Sequence, residues 1–107
     1  MKTLKFRSHL ADMILSGEKT VTWRLFDDKD LAFADKVEFI NWDTNEKFAE
    51  AEITSVEEHS LEQLWPDKLE GHETYENFED MLNHFKLYYG DKVDENTIVK
   101  VLGFKLL

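Results

Sequence analysis

The sequence predicts an α+β domain built on a small, mostly antiparallel β-barrel with helices packed at one side. Three observations support this fold class. The chain has 107 residues, so residues 1–107 are predicted to form a single domain. Short segments rich in β-branched and aromatic residues predict five strands. Helical patterns interrupt these strands instead of alternating regularly with them, which favours an α+β architecture.

The first half of the chain is predicted to be mostly extended. Residues 2–7 form a short strand, and Ser8 is suited to cap the helix that follows. That helix ends at Gly17, because glycine readily adopts the left-handed conformation found after a helix. Residues 19–25 form the second strand, and a loop follows it.

A hairpin is predicted next. Residues 37–42 and 48–56 form its strands, and residues 43–47 form the turn. Small apolar side chains alternate with polar ones over residues 49–54. This alternation is typical of an antiparallel strand with one buried face.

Two helices and a last strand complete the prediction. The shorter helix begins at Ser60, and the longer one runs over residues 75–89, capped by Thr74. Residues 97–106 form the closing strand. Gly103, inside this strand, predicts a bulge or a bend.

Composition favours a soluble cytoplasmic protein. The chain contains no cysteine, which fits a reducing compartment, and its first residues lack the apolar core of a signal peptide. No apolar run approaches the roughly 20 residues of a membrane span. No association with a membrane is therefore expected.

The charge of the chain argues against a general RNA-binding role. Twenty-three acidic residues oppose 13 basic ones, which gives a formal net charge of −10. Because non-specific affinity for nucleic acid comes from phosphate neutralisation, RNA is a possible but disfavoured partner. A small molecule is the expected ligand.

Isolated histidines and tryptophans receive structural interpretations. His59 adjoins two glutamates, but no third ligand stands at a zinc spacing, so no metal or other cofactor is predicted. The histidines are predicted to lie on the surface: His9, His59, His72 and His84. The tryptophans are predicted to lie in the core: Trp23, Trp42 and Trp65.

The stretch GEKTVTWR, residues 17–24, has two interpretations. It is an ordinary strand whose threonines favour β structure and whose charges are solvated. Alternatively, Lys19, Thr22 and Arg24 form a reactive site. On a regular strand Lys19 and Thr22 would point to opposite faces, so a shared site requires Lys19 to lie in the turn before the strand.

This stretch resembles the motif of the ASCH-domain family, G-x-K-x-x-E-x-R after a short helix. The Glu70-Gly71 pair, the helix after it and the closing apolar strand extend the resemblance over the whole chain. The resemblance implies a PUA-like barrel. Thr22 stands where many members have glutamate, and this departure is similar to the small bacterial branch with G-x-K-T-x-T-x-R, the N4-acetylcytidine amidohydrolases.

The resemblance to that branch implies specific roles. Lys19 would be the general base, Thr22 the nucleophile, and a glutamate of the EGHE segment the third catalytic residue. Glu70 is preferred for this role, and Glu73 remains an alternative.

The substrate expected from this resemblance is an N4-acylated cytidine or a similar nucleoside. The base would need hydrogen-bonding partners and a flat apolar wall. Arg24 is a candidate substrate-binding residue, with Trp23 and Phe26 as the wall. Two alternatives stay open: a non-catalytic RNA- or nucleotide-binding module that uses the same pocket, and a degenerate pocket in a domain that meets a protein partner.

Overall fold

A computed structural model describes residues 1–26, 29–66, 69, 71–72 and 74–107. The predicted order of elements is confirmed, with modest shifts in their bounds. In chain order the elements are β1 (Lys2–Phe6), α1 (Ser8–Ser16), β2 (Val21–Leu25), β3 (Lys36–Asn41), β4 (Lys47–Ser60), α2 (Leu61–Leu64), α3 (Phe78–Tyr89) and β5 (Ile98–Leu106).

The five strands form one curled sheet in the order β1-β3-β4-β5-β2. The β1–β3 pair is parallel, and the other three pairs are antiparallel. The predicted α+β fold with a mostly antiparallel barrel is therefore confirmed, in the form of a half-barrel. Its two ends are β1 and β2, which come early in the chain and are separated by α1.

A β-bulge bends the long strand β4. Its pairing with β5 shifts register between Ile53 and Ser55, opposite Gly103. A Cβ atom on Gly103 would lie 2.3 Å from the Ser55 Oγ atom, so the bulge requires a glycine on the neighbouring strand. The irregularity that Gly103 predicts is thus present, with the extra residue in β4.

Two apolar clusters hold the elements together. One joins β1, β3, β4 and β5 to α1 and includes Leu4, Phe6, Ile14, Phe39, Ile53 and Leu102. The other joins β2 and β5 to α2 and α3 and includes Trp23, Leu25, Leu61, Met81, Phe85 and Val99. Two of the tryptophans predicted to lie in the core contact this second cluster, whereas Trp42 is 56% exposed and the prediction for it is wrong.

Helix α1 begins differently from the prediction. Ser8 is its first helical residue and Arg7 its N-cap. The Asp43 carboxylate accepts hydrogen bonds from the Ser8 backbone N–H at 3.0 Å and from the Ser8 hydroxyl at 2.9 Å. A carboxylate from the β3–β4 turn thus satisfies an N–H group that a local cap would otherwise bind.

Helix α3 also begins later than predicted, at Phe78. Asn77 is its N-cap, because the Asn77 side chain accepts a hydrogen bond from the Asp80 N–H at 2.7 Å. Thr74 is therefore not the cap. The predicted ends at Gly17 and Gly90 are confirmed, with φ angles of 87° and 88°. None of the helices in the described part of the chain has the length and apolar character needed to cross a bilayer.

Candidate functional site

Lys19 lies in the turn between α1 and β2, outside the regular strand. The chain leaves α1 through Gly17, and the N–H groups of Glu18 and Lys19 both donate to the Met13 carbonyl oxygen, at 2.9 and 3.1 Å. Regular pairing of β2 begins only at Val21. The position that a shared Lys19–Thr22 site requires is therefore present.

Lys19 and Thr22 are both buried polar residues. Lys19 is only 2% exposed and Thr22 only 3% exposed. Thr22 lies opposite Leu102 of β5 in the sheet. Burial of a charge or a hydroxyl is costly unless the group is compensated, so the burial of both residues calls for a reason other than stability.

A cavity of about 390 Å³ lies in the gap between β1 and β2, with α3 along one side. All five described residues of the predicted site line it: Lys19, Thr22, Trp23, Arg24 and Phe26. The backbone explains the convergence. The turn after Gly17 directs the chain past the gap, and β2 then forms one of its edges.

Basic side chains cross the gap that separates the two ends of the sheet. The Arg24 Nη2 atom donates a hydrogen bond to the Lys5 carbonyl oxygen of β1 at 3.2 Å. The Lys29 Nζ atom donates to the Thr3 carbonyl oxygen, two residues earlier on the same strand. The Arg24 guanidinium also lies 4.7 Å from the centre of the Phe6 ring. Side chains thus bind backbone acceptors that a neighbouring strand would bind in a closed barrel.

The EGHE segment contacts the start of β2 through its described residues. The Gly71 carbonyl oxygen accepts hydrogen bonds from the N–H groups of Thr20 and Val21, at 2.9 and 3.2 Å. Gly71 has a φ angle of 77°, and a Cβ atom there would lie 2.3 Å from the Thr20 Oγ1 atom. Only glycine combines this conformation with this close approach. The two candidate glutamates, Glu70 and Glu73, lie outside the described residues.

The two predicted wall residues differ in their surroundings. The Trp23 ring stacks on His72, with ring centres 4.0 Å apart, and on Phe85, with centres 5.8 Å apart. Phe26 is 47% exposed, has a φ angle of 53°, and contacts Tyr89 edge-on. Phe26 therefore exposes part of its ring at the cavity, with the Lys92 ammonium 4.2 Å from the ring centre, whereas Trp23 is buried.

Several residues that line the cavity were not predicted from the sequence to belong to the site. His72, predicted to lie on the surface, is 7% exposed and stacked on Trp23, so that prediction is wrong. His84, Tyr88 and Tyr89 reach the cavity from α3. Helical spacing could have identified them, because positions 84, 85, 88 and 89 share one helix face.

Trp42 lies at the mouth of the cavity between two cations. The Lys5 ammonium lies 5.4 Å and the Arg7 guanidinium 5.1 Å from the centre of its ring. Arg7 also pairs with Asp43 at 3.0 Å. The backbone N–H and hydroxyl of Ser8, followed by Arg7, hold the pKa of the Asp43 carboxyl below its ordinary value. The arrangement joins β1, the start of α1 and the β3–β4 turn.

The charged residues that line the cavity are basic, in contrast to the acidic chain as a whole. Five basic residues line it: Lys5, Arg7, Lys19, Arg24 and Lys29. No described residue that lines it is acidic, although the chain carries a net charge of −10. Within the described ranges, no group of three histidine and carboxylate side chains is arranged to hold a metal ion.

Comparison with known proteins gives structural matches only. No protein-family model and no curated protein matches the sequence. The structure of protein EF3133 from Enterococcus faecalis V583 (DUF984) matches all of the chain and 76% of its own, with a TM-score of 0.80 and 14% identity. Hypothetical protein PH0355 matches over the full length of both chains, with a TM-score of 0.77 and 16% identity.

An ASCH protein is also among the matches. The structure of ASCH from Zymomonas mobilis matches 96% of the chain and 65% of its own, with a TM-score of 0.70 and 14% identity. Likeness at this level of identity shows a shared fold. The chain therefore has the PUA-like fold of ASCH domains, as its motif predicts.

Proposed function

We propose that this protein is an amidohydrolase that removes the acyl group from an N4-acylated cytidine or a similar nucleoside. The observation that carries the proposal is the burial of Lys19 and Thr22 at one cavity, although a regular strand would separate them. A volume of about 390 Å³ is in the range of small-molecule sites.

Thr22 is the proposed nucleophile. Its hydroxyl oxygen attacks the carbonyl carbon of the acyl group, and the Lys19 amine accepts the hydroxyl proton. The bond between the carbonyl carbon and N4 breaks, and N4 takes up a proton as it leaves. Water then releases the acyl group from Thr22 as a carboxylic acid. No metal enters these steps.

Lys19 is proposed as the general base because it is buried at the cavity. A general base must be neutral before it accepts a proton, and removal of water disfavours the charged form of an amine. Arg24, at the same cavity, adds a positive charge that works in the same direction. Glu70, or Glu73 as the alternative, would orient the lysine or carry the proton to the leaving amine.

A non-catalytic RNA- or nucleotide-binding module is the second candidate. The basic residues that line the cavity favour it, because they suit a phosphate group. The two candidates differ in one respect: only the enzyme needs the Thr22 hydroxyl. The burial of both Lys19 and Thr22 at the cavity therefore favours the enzyme.

Incubation with N4-acetylcytidine tests the proposal, with release of cytidine followed by absorbance. The intact chain should release cytidine, with or without a metal chelator. Thr22→Val, which keeps the shape and removes the hydroxyl, should show only background release. Thr54→Val is the matched control, since Thr54 is an exposed threonine on β4 away from the cavity. Binding of cytidine without any release from N4-acetylcytidine would support the binding module instead.

A further inference from the structure

The mouth of the cavity concentrates positive charge on an acidic protein. Lys5 and Lys29 are exposed there, and both belong to the set of basic residues that line the cavity. A neutral nucleoside offers such charges hydrogen-bond acceptors but no opposite charge. A ligand with an anionic group beside its base and sugar would use them.

The exposed lysines and the buried site are connected through β1. Arg24 donates to the backbone of Lys5, and Lys29 donates to the backbone of Thr3, so both basic side chains are held against the same edge. The Lys5 side chain extends from this edge over Trp42 and forms no ion pair with any described residue. Its ammonium is thus available to a ligand at the mouth of the cavity.

We propose that Lys5 and Lys29 form a phosphate subsite, so that the protein binds a nucleoside monophosphate in preference to the nucleoside. The inference rests on the proposed function for the identity of the base. The phosphate lies at the mouth between the two lysines, the sugar lies beside Trp42 or Phe26, and the base enters toward Thr22. Acylated cytidine monophosphate is then the preferred substrate class.

A single nucleotide fits this surface better than an RNA strand does. Five of the 13 basic residues line this one cavity, and the chain as a whole repels a polyanion through its net charge of −10. A longer strand would place most of its phosphates against acidic surface.

Titration calorimetry with cytidine, cytidine 5′-monophosphate, cytidine 3′-monophosphate and a short cytidine oligonucleotide tests the subsite. At least one monophosphate should bind about tenfold more tightly than cytidine, a ratio that falls as salt rises from about 0.1 to 1 M. The oligonucleotide should bind no more tightly than that monophosphate. Tighter binding of the oligonucleotide would overturn the proposal in favour of RNA.

Charge-removing variants locate the subsite. Lys5→Gln and Lys29→Gln should each reduce the preference for the monophosphate over cytidine by about fivefold, the effect of one exposed charge pair. Lys36→Gln is the matched control, because Lys36 is an exposed lysine on β3 that does not line the cavity. Equal effects of all three variants would show a general charge effect and overturn the assignment.

The two proposals can fail separately. Selective binding of the monophosphate without hydrolysis of any N4-acylated cytidine would contradict the enzyme and leave the phosphate subsite in place. Hydrolysis of N4-acetylcytidine with no preference for the monophosphate would contradict the subsite and leave the enzyme in place.

Discussion

The two sides of the half-barrel are closed in different ways. On the β3–β4–β5 side, strands pair through their backbones, and the bulge in β4 fits against Gly103. On the β1–β2 side, the strands stand at opposite ends of the sheet, and Arg24 and Lys29 bind the backbone of β1 with their side chains. Backbone pairing leaves no room for a ligand, whereas side-chain bridges leave a cavity lined by functional groups.

This difference indicates where substitutions should affect stability and where they should affect function. The β3–β4–β5 side, called the paired side below, contains much of the first apolar cluster. Substitutions there should therefore affect folding. The β1–β2 side, called the open side below, carries buried polar residues, and burial of such groups costs stability unless they are compensated. Such residues are usually retained for function.

Gly71→Ala should strongly impair the open side. The new methyl group would meet the Thr20 hydroxyl at 2.3 Å, and a positive φ angle is strained for alanine. Gly71 would then move away from the start of β2. We expect deacetylation to fall by about 10- to 100-fold, because small displacements of catalytic groups are costly.

Gly90→Ala is the matched control for this prediction. Gly90 has a similar φ angle of 88°, but nothing lies within 4 Å of an added Cβ atom. It therefore introduces the strain of a positive φ angle without the steric contact. Equal loss of turnover in the two variants would show that the contact with Thr20 is irrelevant.

Gly103→Ala should affect the paired side and leave turnover largely intact. The added methyl group would lie 2.3 Å from the Ser55 Oγ atom. Overpacking of this kind costs about 1–3 kcal/mol of the free energy of unfolding. Chemical denaturation measures this loss.

A second substitution identifies the cause. Ser55→Ala removes the hydroxyl that the new methyl group meets, so the double variant should recover part of the lost stability. Additive losses in the two single variants would show that the pair is not in steric conflict.

Asp43→Asn should have the smallest effect, a modest loss of stability at neutral pH that disappears at low pH. The Ser8 N–H and hydroxyl, together with Arg7, lower the pKa of Asp43 from 3.8 in the folded protein. The stabilisation is therefore present above the unfolded pKa and disappears as the pH falls through the folded pKa. Melting temperatures of the variant should fall less steeply than those of the native chain below about pH 4.

Asp12→Asn is the control for this experiment, since Asp12 is exposed on α1 and makes no such hydrogen bonds to the residues that the structure describes. It should reproduce the native profile. A native-like profile for Asp43→Asn would show that the cap on α1 is not ionic.

Local patterns predicted the elements of the fold because their causes are local. Alternation identified the strands, and Gly17 and Gly90 marked the helix ends. The cap on α1 was missed because it comes from Asp43, 35 residues away in sequence. No local pattern reports such a contact.

The site was predicted only in part, because only some of its residues are close together in sequence. The GEKTVTWR motif identified the residues around Lys19, which are close in sequence. The burial of Lys19 and the position of His72 depend on the chain folding back on itself, so local patterns left a solvated strand as an alternative for Lys19 and predicted His72 to lie on the surface. The opening between β1 and β2 is likewise a property of the whole sheet.

The central claim is that Lys19 acts as a general base, and Lys19→Arg tests it most directly. Arginine keeps the positive charge but stays protonated and cannot accept the threonine proton. Because Lys19 is buried, the larger guanidinium of Lys19→Arg could disturb the packing. Lys19→Met is therefore a second variant, of similar length and with a smaller end group. Turnover of N4-acetylcytidine should fall by at least about 100-fold in both variants, the lower range for one general base. If either variant melts like the native chain and turns over at a near-native rate, Lys19 is not the base.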